Sequence, residues 1–211
     1  MVINKTIAKK TASYLLQINA IKLNIQNPFK WSSGWNSPIY CDNRICLSFP
    51  KIRDFLANSI AEEIKKSVSG NFTIAGVATG AIGIGMLVAN KLNAPFIYVR
   101  PEQKKHGKKN QIEGTLNKKE KVIVIEDLIS TGKSSLNAVD AIQNNGAKVV
   151  FMIALFTYGF EIAKENFMKK NIELKTLSDY KNLIETAKGN SLINEDEIKS
   201  LINWRKNPEN W

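Results

Sequence analysis

The strongest constraint on how this chain can fold is a change of hydrophobic period near residue 72. From there, short β-rich apolar runs at 72–78, 95–100, 121–126 and 148–156 alternate with stretches whose apolar residues recur at helical spacing. The run at 122–125, Val-Ile-Val-Ile, is apolar at every position and so buries both of its faces, as a parallel strand covered by helices does. The intervening stretches are long enough for crossover helices, which predicts an α/β fold with a doubly wound, mainly parallel sheet and helices on both faces. The pattern predicts a further strand at 172–177 and two helical stretches after it, the last carrying Ile198, Leu201, Ile202 and Trp204. Before residue 72, Ile7, Leu15 and Ile18 share a helical face, and Pro50 opens a second helix bearing Ile52, Phe55, Leu56, Ile60 and Ile64. A Ser/Asn/Pro-rich connection joins the two.

The length of 211 residues with 44% hydrophobic content suits one domain over 1–211 that buries about 70% of its unfolded surface. The longest wholly apolar run, 149–156, falls far short of the roughly 18 residues that span a bilayer. The polar start, MVINKTIAKK, has no apolar stretch of the kind a signal peptide carries. A soluble, cytoplasmic protein without a membrane partner is the expectation. Two cysteines, Cys41 and Cys46, and a single histidine cannot complete a structural zinc site, so both thiols read as reduced packing residues. Thirty Lys and Arg against 19 Asp and Glu leave a net charge of +11. Most of this excess is scattered in pairs on helix faces and turns, the pattern of a solvated surface rather than of a nucleic-acid groove. One cluster differs: the segment 100–109, with Arg100, Lys104, Lys105, His106, Lys108 and Lys109 around Pro101 and Gly107, has no apolar stripe and reads as a loop that meets anions.

In doubly wound sheets, ligands bind beyond the carboxyl ends of the strands. The strand predicted at 121–126 ends on Glu126 and Asp127, two adjacent carboxylates that repel each other and lose hydration unless a ligand compensates them. Ser130, Thr131, Gly132, Lys133 and Ser134 follow, small residues that let backbone amides converge at the start of a helix that favours an anion. An acid pair beside an anion cradle suits a sugar phosphate. A P-loop is disfavoured because its first glycine would fall on Asp127, and a dinucleotide fingerprint at Gly83 and Gly85 lacks its third glycine, where Val88 stands. The turn at Thr79, Gly80 and Ala81 reads either as a second anion turn or as tight strand-to-helix packing.

The strand, the acid pair and the Ser-Thr-Gly turn resemble the phosphoribosyl diphosphate (PRPP) signature of type I phosphoribosyltransferases. Two further segments narrow the resemblance. The stretch 29–44, with Phe29, Ser33, Gly34, Ser37, Pro38, Tyr40, Asp42, Asn43 and Arg44, is similar to the N-terminal substrate segment of orotate phosphoribosyltransferases. The stretch 100–114, ending in Asn110, Gln111, Ile112, Glu113 and Gly114, is similar to their catalytic loop. The resemblance implies a type I phosphoribosyltransferase fold with a small N-terminal hood, a substrate segment at about 1–48 and a core at about 50–211. It implies transfer of the phosphoribosyl group from PRPP to orotate in pyrimidine biosynthesis, giving orotidine 5′-phosphate and pyrophosphate. It assigns the diphosphate to Arg100, Lys104 and His106 as catalytic groups. The ribose 5-phosphate falls to Glu126, Asp127, Leu128, Ile129, Ser130, Thr131, Gly132, Lys133 and Ser134, and orotate to Ser130 and Tyr40. It also implies Mg²⁺ carried mainly by PRPP and a homodimer in which one subunit's loop reaches the other's site.

The chain departs from some members of that family. Pro101, Gly80 and Ser32 stand where those relatives carry basic residues, and the stretch 155–159 lacks an arginine that contacts orotate in them. The orotate carboxylate then falls to backbone amides near Ser33 and Gly34, or to Arg44. The rival readings are a phosphoribosyltransferase for a purine or another pyrimidine, and a non-catalytic regulator that binds nucleic acid. The second predicts an added DNA-binding domain or a decayed catalytic loop, and the sequence shows neither.

Overall fold

The structure, a computed structural model, describes residues 2–31, 34–102 and 110–211. The chain opens on α1 (Lys5–Gln17), whose cap residue Asn4 accepts bonds from the amides of Thr6 and Ile7. Four short strands follow: β1 (Ile21–Leu23), β2 (Phe29–Lys30), β3 (Asn36–Ser37) and β4 (Ile39–Cys41). They pair as two antiparallel ladders, β1 with β4 and β2 with β3. The Ser/Asn/Pro-rich connection is therefore a small hood of two antiparallel ladders. A 3-10 helix, Asn43–Ser48, leads to α2 (Pro50–Ser67), which starts at its proline as expected and ends with Lys65 and Lys66 in its last turn, favourable for the helix dipole.

The core then alternates β5 (Thr73–Val77), α3 (Ile82–Leu92), β6 (Phe96–Val99), β7 (Ile112–Glu113), β8 (Lys121–Ile129), α4 (Lys133–Asn144), β9 (Lys148–Thr157), α5 (Glu161–Lys169) and β10 (Leu174–Asp179), and closes with α6 (Tyr180–Gly189) and α7 (Glu195–Lys206). The six-stranded sheet has the order β10-β9-β8-β5-β6-β7. Every pair is parallel except β6 with β7. Alternate residues of the central strands feed two separate cores. Ile74, Ile123, Ile125 and Ile153 pack with α1, α2, α3, α6 and α7, whereas Ala75, Val122, Val124 and Met152 pack with α4 and α5. This is the doubly wound arrangement the apolar runs predict.

Two boundaries differ from expectation. The strand predicted to stop at Glu126 continues to Ile129, because Glu126, Leu128 and Ile129 keep pairing with Ala154, Phe156 and Thr157 of β9. The acid pair thus sits inside a strand rather than just past its end. The last strand is displaced from 172–177 to Leu174–Asp179, with Ile172 packed in the core below it.

The hood is braced from the far end of the chain. Trp204 on α7 is fully buried and donates from Nε1 to the carbonyl of Asn36 in β3 at 3.2 Å. Its ring meets Trp31 edge-on at 5.5 Å and lies 5.9 Å from Tyr158. Aromatic contacts of this kind add to the large area the rings remove from water. α7 can hold this position because Asn194 and Glu197 form a reciprocal capping box at its start.

Candidate functional site

Two clefts adjoin at the carboxyl end of the sheet. The first encloses about 480 Å³ between β5, β8, the start of α4 and the 3-10 helix after the hood. Its floor is the acid pair. Glu126 is buried, and its carboxylate accepts from the hydroxyl of Ser135 at 2.7 Å and from the amide of Asp127 at 2.9 Å. Burial, and secondarily the neighbouring Asp127 carboxylate, push its pKa well above the ordinary glutamate value. Both Glu126 oxygens are engaged within the protein, and the half-buried Asp127 presents the freer carboxylate to the cleft. Asn43 holds the strand from the hood side by donating from Nδ2 to the carbonyl of Asp127 at 2.6 Å. Gly80 faces the same carboxylate so closely that a Cβ at that position would collide with it. The glycine lets the turn after β5 close down on Asp127.

The far wall of this cleft is the start of α4. Gly132 caps the helix at φ +78°, where a side chain would be strained and would also press on the ring of Phe167. No side chain caps α4, so its first amides are left for a ligand. Thr79, Gly80, Ser130, Thr131, Gly132 and Ser134 all line the cleft.

The second cleft, about 550 Å³, lies under the hood and is largely aromatic. Trp31, Trp35, Tyr40 and Tyr158 form its walls. Trp31 is fixed by its Nε1 donating to the carbonyl of Ile39 at 3.1 Å and by ring contacts with Trp35 at 6.4 Å and Tyr158 at 5.0 Å. Phe29 supports Tyr40 at 5.6 Å. Burial pushes the thiol of Cys41 and the phenol of Tyr158 well above their ordinary pKa values, so both remain neutral. Cys41, Leu128, Ser130 and Thr131 line both clefts and form the wall between them.

The structure brings together most of the residues singled out from sequence, and separates some. Glu126, Asp127, Leu128, Ser130, Thr131, Gly132 and Ser134 meet at the first cleft. Tyr40 and Ser130 meet at the second. Ile129 is fully buried and Lys133 is exposed; neither lines the first cleft. Ile129 contributes through its carbonyl, which accepts from the amide of Tyr158 at 3.1 Å and from the hydroxyl of Thr157 at 3.2 Å. Arg100, just past the end of β6, pairs with Glu113 at 3.4 Å and lines neither cleft. Lys104, His106 and Ser33 lie outside the described residues. Arg44, which the sequence offers as one alternative for the orotate carboxylate, does not line the aromatic cleft. It lines the acid cleft instead and is clamped by Asp42, with bonds of 2.7 and 2.8 Å to the two carboxylate oxygens. That pairing, mainly its hydrogen bonds, lowers the pKa of Asp42. Asn43, Lys30, Trp31, Trp35, Cys41 and Tyr158 are site residues to which sequence reasoning gives no role of their own. The aromatic density of the 29–40 segment points to Trp31 and Trp35 and to their neighbour Lys30, Asn43 falls in the 29–44 substrate segment, and no local signal points to Tyr158.

Among the described residues, no group of three or more His, Cys, Asp or Glu side chains could hold a metal ion. The same residues contain no helix long and apolar enough to cross a membrane.

Residues 48–185 match the family described as phosphoribosyl transferase domain. The chain is 49% identical over 203 residues to the orotate phosphoribosyltransferase of Cytophaga hutchinsonii, covering 96% of this chain and 97% of the relative. It is 50% identical over 207 residues to that of Phocaeicola vulgatus, covering 98% of each. Among solved structures, orotate phosphoribosyltransferase from Aeropyrum pernix superposes with a TM-score of 0.74 at 27% identity, over 87% of this chain and 99% of that one. Leishmania donovani UMP synthase shares the fold with a TM-score of 0.78 at 23% identity, over 93% of this chain and 42% of that one.

Proposed function

Because this chain belongs to the orotate phosphoribosyltransferase family of type I phosphoribosyltransferases, we propose that its acid cleft takes PRPP and its aromatic cleft takes orotate. The reaction joins them as orotidine 5′-phosphate and releases pyrophosphate, a step of pyrimidine biosynthesis in the cytoplasm. The observation that carries this reading is the common wall. Ser130 and Thr131 line both clefts, so a ribose seated over Asp127 lies next to a flat base seated under Tyr40.

The chemistry asks little covalent work of the protein. As the bond from ribose C1 to the pyrophosphate oxygen breaks, positive charge builds on the sugar and negative charge on the leaving group, while the base nitrogen closes on C1. Asp127 accepts hydrogen bonds from the ribose hydroxyls and lies where it can offset the cationic sugar. Ser130, Thr131, Ser134 and the first amides of α4 hold the 5-phosphate, supported by a helix start that has no side-chain cap. Glu126 positions this floor through Ser135 and the Asp127 amide. Cations directed at the leaving group supply the remaining stabilisation, best in a site from which water is excluded. The family resemblance gives that task to Arg100, Lys104 and His106; in a homodimer with a shared site they reach across from the partner subunit. The donor set fits a Mg²⁺ that arrives on PRPP oxygens rather than one caged by protein, since of the three carboxylates lining the acid cleft Glu126 is engaged by Ser135 and the Asp127 amide and Asp42 by Arg44, which leaves Asp127. Bound there, the ion would neutralise charge on the departing diphosphate.

This reading treats 1–211 as one domain, with the hood as substrate segment and the sheet as PRPP core. The test is spectrophotometric: adding PRPP and magnesium to protein and orotate should deplete orotate's ultraviolet absorbance, with no comparable turnover of hypoxanthine or uracil. An unchanged orotate signal overturns it.

A further inference from the structure

Orotate differs from uracil by one carboxylate, so an enzyme that uses it must hold an anion beside a flat apolar ring. The aromatic cleft makes that demand acute. Its walls are Trp31, Trp35, Tyr40 and Tyr158, and an anion set among aromatic rings loses hydration unless a cation or several donors meet it. Tyr158 and Cys41 stay neutral there, as described above. Lys30 is the single charged side chain among the described residues that line this cleft.

We propose that Lys30 binds the carboxylate of orotate and is the residue that selects orotate over neutral pyrimidines. The inference rests on the reading of the aromatic cleft as the base site. Three observations support it. Lys30 sits on β2, where it pairs with Asn36 across the hairpin, and the next residue, Trp31, is anchored to Ile39 and stacked on Trp35. The backbone of Lys30 is thus held at the rim of the cleft, while its side chain is exposed. Among the described residues, no carboxylate is paired with Lys30. The other cations nearby are committed elsewhere: Arg44 is clamped by Asp42 in the acid cleft, and Arg205 lines a separate cavity behind Trp35. A flexible ammonium at the rim of an apolar slot can follow a carboxylate into it while its stem packs on the tryptophans.

The experiment compares the wild type, Lys30→Met and Lys30→Arg in steady state, varying orotate at saturating PRPP and PRPP at saturating orotate. Lys30→Met should raise the KM for orotate about 10- to 100-fold, the range of one charge-assisted hydrogen bond. Its kcat should stay within about threefold and its KM for PRPP should not change; Lys30→Arg should recover most of the loss. Because the side chain is exposed, Lys30→Met should melt with the wild type, which separates a binding defect from a folding defect. A wild-type KM for orotate in Lys30→Met overturns the assignment of Lys30 and leaves the base site standing. A wild type that consumes no orotate overturns the functional reading itself, and the role of Lys30 with it.

Discussion

The two clefts share a wall but are built by opposite means. The acid cleft stands on the middle of the sheet: β8, its neighbour β5 and the start of α4 fix Glu126, Asp127, Gly80 and Gly132 by backbone geometry, hydrogen bonds and the absence of side chains. The aromatic cleft hangs on two short antiparallel ladders, a β2–β3 hairpin inside the β1–β4 pair, of two or three residues per strand, held mainly by ring packing against Tyr158 and Trp204. The difference matches the ligands proposed for each. A sugar phosphate presents many charges and hydroxyls that must be met one by one, which favours preorganised groups on rigid elements. A flat base presents area, which aromatic walls reward with little need for exact donors. Substitutions in one cleft should therefore move one substrate and spare the other.

The largest effect should come from neither wall. Lys104→Ala removes a cation assigned to the leaving diphosphate, and its turnover should fall by about 10²- to 10³-fold while the KM for orotate stays close to wild type. Unchanged turnover in a steady-state assay would remove Lys104 from the mechanism. Within the acid cleft, Asp127→Asn should weaken PRPP binding by about 10- to 100-fold, measured by calorimetry, because a charged acceptor for the ribose hydroxyls becomes a neutral amide. Gly80→Ala sharpens the same point without touching the acid. Its new Cβ displaces the Asp127 carboxylate, so it should mimic the PRPP defect at a near-normal melting temperature. Wild-type affinity in both variants would sink the ribose assignment.

The aromatic side can be tested from outside the cleft. Trp204→Phe loses the bond to the Asn36 carbonyl and part of a buried ring, which should cost about 1–2 kcal/mol of stability. The KM for orotate should rise a few-fold while PRPP affinity holds. Equal losses for both substrates would show that the hood and the sheet do not act as separate supports.

The same contrast governs what could be read from the chain. Glu126, Asp127 and the 130–134 turn were legible because their chemistry is contiguous, one strand running into one helix, and the apolar runs around them announce the sheet. The continuation of β8 to Ile129 was not, since two charges look like a strand end until the partner strand is known to pair past them. The aromatic cleft is assembled from residues some 130 positions apart, Trp31 on a hairpin and Tyr158 after β9, and no local pattern records that meeting. Arg44 shows the same limit at short range: the sequence offers it as one alternative for the orotate carboxylate, and in the fold Asp42, two residues earlier, takes the guanidinium. For Lys104 and His106 the basic cluster marks an anion-meeting loop, and the resemblance assigns it the diphosphate.

The smallest expected effect separates the two acids. Glu126 is buried with its pKa raised, chiefly by lost hydration, so in the pH range above the ordinary glutamate value, roughly 4 to 5, the folded protein retains a proton that the unfolded chain releases. Stability then falls as pH rises through that window toward the folded pKa. Glu126→Gln keeps an acceptor for the Asp127 amide and a partner for Ser135 but cannot ionise. It should melt with the wild type at low pH and increasingly above it as pH rises. Its PRPP affinity should drop less than that of Asp127→Asn, because both Glu126 oxygens are engaged by the protein. Melting curves across pH 4 to 8 that stay parallel, or converge with rising pH, would mean that Glu126 is ionised in the folded state; a PRPP loss in Glu126→Gln as large as in Asp127→Asn would mean that the two carboxylates share the ribose.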